Sequence, residues 1–83
     1  MRVTFEPRTD MAYIYLTDSD ESRTVAQTEP LIVDLRMGSR RLINLDFDSS
    51  GRLLGLEIDG AAAALPASLL AAADKPRDAA DNG

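Results

Sequence analysis

The chain has 83 residues, with 14 acidic against 9 basic side chains and no cysteine, histidine or tryptophan, for a net charge of −5. That composition excludes disulfides, thiolate–zinc sites and every Ser–His or Cys–His catalytic pair. With only Arg40 and Arg41 adjacent, it also lacks the basic cluster that neutralises phosphates, so no nucleic-acid partner is expected.

The first ten residues, "MRVTFEPRTD", lack the apolar core of an export signal. Instead 2–6 alternates, with Val3 and Phe5 on one face and Arg2, Thr4 and Glu6 on the other, the period of a half-buried strand. Residues 7–10 form a turn, since Pro7 fixes its own φ and Asp10 can bond nearby backbone. Residues 11–17 are the most β-prone stretch, with Ile14 and Leu16 on one face and Tyr13 and Tyr15 on the other. Two such runs across a short polar link predict an antiparallel hairpin.

"DSDES" at 18–22 reads as a solvated loop. A weak strand over 23–28, centred on Val25, is interrupted by Glu29 and Pro30, because proline cannot donate to a central ladder. Another strand follows over 31–36, and 37–40 turns the chain. The last strands, 42–48 and 52–58, are joined by "DSSG".

From Gly60 the composition becomes alanine-rich. Alanine favours helix, and Leu65, Leu69 and Leu70 share one helical face. Pro66 suits a first helical position, so a helix is predicted over 66–74 after a short turn at 61–64. Residues 1–74 form one domain and 75–83 a flexible tail. No apolar run approaches the ~18 residues of a membrane span, so no membrane association and a cytoplasmic location are expected.

Residues 46–57, "DFDSSGRLLGLE", fit a calcium-loop pattern, with an acid first, Gly sixth and Glu twelfth. Such a loop needs flanking helices, and "RRLINL" before it alternates with period 2. Folded as a hairpin with Gly51 at positive φ, the segment opposes Phe47 to Arg52, Leu45 to Leu54 and Ile43 to Leu56, with Asn44 facing Gly55. A one-residue slip would set Ile43 against Glu57, so the hydrophobic pattern favours the hairpin. Neither a metal nor a cofactor is expected.

"VTFEPRTDMAYIYL" followed by "INLDFDSSGRLLGLEI" resembles the domain-of-unknown-function family 2283. Asp10, Tyr13 and Tyr15 match its first signature; Asp46, Gly51, Gly55, Glu57 and Ile58 match its second. "ALPASLL" resembles the short helical ending of many members, and "EPLIVDLRMGSRR" adds a strand and turn that many lack. The resemblance, over residues 2 to 70, implies a small β-rich fold of uncharacterised role and supplies neither an activity nor catalytic residues.

The expected fold is therefore α+β: an antiparallel sheet of five or six strands, a meander of hairpins, with one C-terminal helix packed on one face. Candidate catalytic carboxylates are Asp10, Asp46 and Glu57, with Tyr13 or Tyr15 as proton donor. Simpler accounts exist for each: Asp10 belongs to a turn, and Glu57 can face solvent or pair with Arg41. A sheet this small also has little depth for a pocket of ~300 Å³. One helix covers one face, which leaves the other face or a free edge for a second copy. A thin core, burying about 60–65% of the unfolded surface, makes such pairing useful. The best-fitting role is thus a structural or protein-interaction domain forming a homodimer, with Tyr13, Tyr15, Leu69 and Leu70 as interface candidates and 58–66 as a hinge for helix exchange. The alternative is a small enzyme or ligand binder using Asp10, Asp46 and Glu57.

Overall fold

A computed structural model of the chain describes residues 2–18 and 23–75. Most of the 18–22 loop and the tail from 76 onward lie outside the described residues. Five strands form one antiparallel sheet: β1 (Arg2–Glu6), β2 (Met11–Tyr15), β3 (Gln27–Asp34), β4 (Arg40–Phe47) and β5 (Leu53–Asp59). Two short helices follow, α1 (Ala61–Ala64) and α2 (Ala67–Ala72). The strand order is β1-β2-β5-β4-β3. β2 and β3, consecutive in the chain, are thus separated in the sheet by β5 and β4.

In place of the two strands expected over 23–28 and 31–36 there is one, β3, running through Pro30, while residues 23–26 belong to the β2–β3 connection. Proline survives there because β3 is the outermost strand, where half the backbone N–H groups point away from the ladder. The sheet therefore has five strands. At the opposite edge lies an isolated parallel bridge, Thr4 to Asp74. There Phe5 donates to the Asp74 carbonyl at 2.8 Å and Asp74 donates to the Val3 carbonyl at 2.9 Å.

Both long hairpins turn the same way. Leu35 donates to the Ser39 carbonyl and Gly38 to the Leu35 carbonyl; Asp48 donates to the Arg52 carbonyl and Gly51 to the Asp48 carbonyl. The third loop residue is at positive φ in each, 88° at Gly38 and 84° at Gly51. Glycine alone reaches that region without steric cost. The fold-back of 42–58 matches expectation, but its register does not. Beyond the turn Phe47 opposes Leu53, and then Leu45 opposes Leu56 and Ile43 opposes Ile58. A bulge between the Asp46 and Phe47 pairings inserts Leu54 as an extra residue. The ladder is displaced by two positions, so the apolar residues keep their face. Asn44 opposes Glu57, Asp46 opposes Gly55, and Leu53 joins the apolar face with its partner Phe47.

The core lies on that face. Ala12, Ile58 and Ala61 are buried together, and Phe5, Ile14, Ile43, Leu56, Ala64, Leu65 and Leu70 pack around them. Small residues at Ala12 and Ala61 let α1 sit close to the sheet. Asp10 fixes where that helix starts: its carbonyl accepts from Ala61 N–H at 3.0 Å and its Oδ1 from Ala62 N–H at 2.8 Å. Arg41 reaches the Ala63 carbonyl at 3.4 Å from the same side. α2 starts one residue later than expected, with Pro66 as its N-cap. The molecule is a slab, 39 × 33 × 20 Å, and among the described residues no large side chain is completely enclosed. No helix among them is long and apolar enough to cross a membrane.

Candidate functional site

The opposite face of the sheet is polar. Strand alternation places Thr4 of β1, Tyr13 and Tyr15 of β2, Gly55 and Glu57 of β5, Asn44 and Asp46 of β4, and Thr28 of β3 on this side. Its centre is the Asp46 carboxylate. The Tyr13 hydroxyl donates to Asp46 Oδ2 at 2.5 Å, and the Thr28 hydroxyl donates to Asp46 Oδ1 at 2.5 Å. Arg23, arriving from the β2–β3 connection, donates through Nη2 to the Tyr13 hydroxyl oxygen and lies 3.7 Å from Asp46 Oδ2. Its Nε is enclosed without a partner among the described residues.

Tyr13 reaches Asp46 by lying across β5, the strand between them. Gly55 makes room: a Cβ built there would stand 2.5 Å from the Tyr13 ring and hydroxyl. The Tyr13 and Tyr15 rings pack at 4.6 Å, inclined by 54°. Arginines lie against them, Arg2 at 4.0 Å from the Tyr15 ring and Arg23 at 4.9 Å from the Tyr13 ring. Both are within cation–π range.

This arrangement sets the electrostatics. Burial, and then the hydrogen bond to Asp46, push the Tyr13 hydroxyl well above its ordinary value of 10.0, against the opposing pull of Arg23. Tyr13 therefore stays a protonated donor, and the Asp46 carboxylate has its lone pairs engaged by Tyr13 and Thr28 beside a cation. A phenol held neutral is poorly suited to act as a base, and each Asp46 oxygen is tied to a hydroxyl donor. They are well suited to clamp β2, β3, β4 and the β2–β3 connection together.

The three candidate carboxylates do not share one site. Asp46 and Glu57 lie on the polar face, where Glu57 opposes Tyr13 and accepts from Asn44 Nδ2 at 3.1 Å. Arg41, suggested as its partner, is instead on the α1 side. Asp10 is at the turn before β2, bonded to the start of α1. Tyr13 and Tyr15 are half-buried in the polar cluster, Leu70 packs on the core cluster, and Leu69 borders a shallow cleft beside β1. An open cleft of 320 Å³ includes Thr4, Tyr13, Tyr15 and Glu57, and neither Asp10 nor Asp46 lines it. Asp48 belongs to the β4–β5 turn, where its Oδ1 accepts from the N–H groups of Ser50 at 2.9 Å and Arg52 at 3.0 Å. Residues 46–57 are thus a hairpin whose three acids serve different partners.

Sequence reasoning missed Arg23, Thr28 and Asn44. Gly55 was the usable signal, since glycine inside a strand often marks a close approach.

The order of these elements and the residues in them match one family model over residues 2–61, from β1 to the start of α1. The chain belongs to the family described as protein of unknown function DUF2283. The DUF2283 match spans the whole polar cluster, including Tyr13, Arg23, Thr28, Asp46 and Glu57. No curated protein and no solved structure matches the chain.

Proposed function

We propose that this DUF2283 chain is a small protein-interaction domain that self-associates, using the open edge of β3 as its contact surface. The observation that carries this is the asymmetry of the two sheet edges. The outer side of β1 is bridged by Asp74. Among the described residues β3 has a neighbouring strand on one side only, and along it Leu31 is 44% and Ile32 59% exposed. An apolar edge strand with unpaired backbone groups invites a further strand. The thin slab adds to this, since a second copy would bury apolar area that one copy leaves wet.

The surface thus shifts from Tyr13, Tyr15, Leu69 and Leu70 to β3. The tyrosines are engaged with Asp46 and the arginines, and Leu70 with the core. An enzyme or binder built on Asp10, Asp46 and Glu57 has less support, because Asp10 is committed to α1.

Sedimentation equilibrium tests the proposal. The wild-type chain is expected at twice its chain mass, and Ile32→Glu at the single mass, with circular dichroism confirming that the variant stays folded. A single-mass wild type, or an undiminished dimer in Ile32→Glu, contradicts it.

A further inference from the structure

The outward row of β3 can be read residue by residue. Leu35 donates to the Ser39 carbonyl at 2.8 Å, which makes that pair a hydrogen-bonded one. Bonded and non-bonded pairs alternate along an antiparallel ladder. Counting back through the observed register, residues 33, 31 and 29 turn their backbone groups toward β4. Thr28, Pro30, Ile32 and Asp34 turn theirs outward, to the side where, among the described residues, β3 has no neighbouring strand. The N–H that Pro30 lacks is therefore missing from the open edge.

We infer that a second copy of this chain adds to β3 antiparallel to it, about a two-fold axis through Ile32, giving one continuous sheet of five strands from each copy. This rests on the self-association proposed above and specifies its geometry.

The axis follows from which pairs each choice creates. Two-fold symmetry opposes a residue on the axis to itself, and outward residues must meet outward residues to form ladder bonds. An axis at Pro30 opposes two residues without N–H groups, and one at Asp34 opposes two carboxylates. An axis at Leu31 puts a proline ring in both pairs beside it, where an N–H is needed, and sets Glu29 against Val33. An axis at Val33 sets Asp34 against Ile32.

An axis at Ile32 opposes the two Ile32 side chains on the polar face and pairs Leu31 with Val33 on the apolar face, once on each side. Pro30 is moved to the outer ends, opposite Asp34 of the second copy, where only its carbonyl is used. Each copy then donates the N–H of Ile32 to Ile32 and the N–H of Asp34 to Pro30 of the other. The exposed Leu31 and Ile32 are covered together.

Single-cysteine variants test the axis cleanly, since the chain has no cysteine of its own. On the axis of a hydrogen-bonded antiparallel pair, a residue meets itself at a Cα separation of about 5.5 Å, inside disulfide range. Thr28 would be ~26 Å from its counterpart, at ~3.3 Å per residue. Under mild oxidation, full-length Ile32→Cys is expected to form covalent dimer at least tenfold faster than Leu31→Cys, Val33→Cys or Thr28→Cys. Sedimentation of the wild-type chain is run alongside. A wild-type dimer with faster linkage at Leu31 or Val33, or no acceleration at Ile32, overturns the axis and leaves the self-association reading standing. A monomeric wild type overturns both.

Discussion

Tyr13 on β2 and Asp46 on β4 are joined at 2.5 Å across an intervening strand, over the bare backbone of Gly55. Adjacent strands are ~4.8 Å apart, so the Tyr13 phenol and the Asp46 carboxylate together span two strand spacings, and only a residue without a side chain can sit beneath the ring. Two substitutions should fail for one shared reason. Tyr13→Phe removes the donor to a carboxylate and is expected to cost ~1.5–3 kcal/mol in urea unfolding. Gly55→Ala forces the ring off the same bond and should cost a similar amount. Because the residues act together, the double variant should lose much less than the sum of the single losses.

The raised Tyr13 hydroxyl makes stability fall on the alkaline side. The folded chain holds this proton above pH 10.0, where an unfolded tyrosine releases it. The associated stability is fully present below that pH and is lost as pH rises toward the folded value. Urea titrations in this range should show a declining midpoint for wild type and a weaker decline for Tyr13→Phe.

Asp48 acts on the acid side. The Arg52 N–H, and then that of Ser50, hold its carboxyl below its usual value of 3.8. Its contribution is present above that pH and disappears as pH falls through the lower, folded value. Asp48→Asn should therefore show a shallower loss of stability on acidification than the wild type, measured by circular dichroism.

Asp10 has φ 56°, the one described non-glycine residue in the left-handed region, and bonds the first residues of α1 through both backbone and side chain. Asparagine tolerates that conformation and can keep the acceptor, so Asp10→Asn should change stability little. Asp10→Ala loses the acceptor and adds backbone strain, and should cost ~1–2 kcal/mol in thermal unfolding.

These residues show how far the sequence could be read. Alternation located β1, β2, β4 and β5, because a half-buried strand writes its two faces into consecutive positions. The alanine-rich stretch likewise gave α1 and α2 near their observed limits. Pro30 misled, since its effect depends on whether the strand is central or outermost, which no local pattern encodes. A displacement of two keeps Ile43, Leu45 and Leu56 on one face, so alternation could not reveal it, and the bulge at Leu54 moved Leu53 to that face as well. Asp46 was picked out as a carboxylate, but its partners come from β2, β3 and the β2–β3 connection, and only strand order brings them together. Arg23 opens the stretch read as a weak strand, and nothing local marks it as a neighbour of Asp46.

The central claim is that β3 is where a second copy joins, and backbone amide exchange measured by NMR at high protein concentration tests it most directly. The amides of Ile32 and Asp34 face away from β4. The account predicts that they exchange as slowly as the paired amides of β4 and β5. Exchange at the rate of a bare, solvated sheet edge would contradict it.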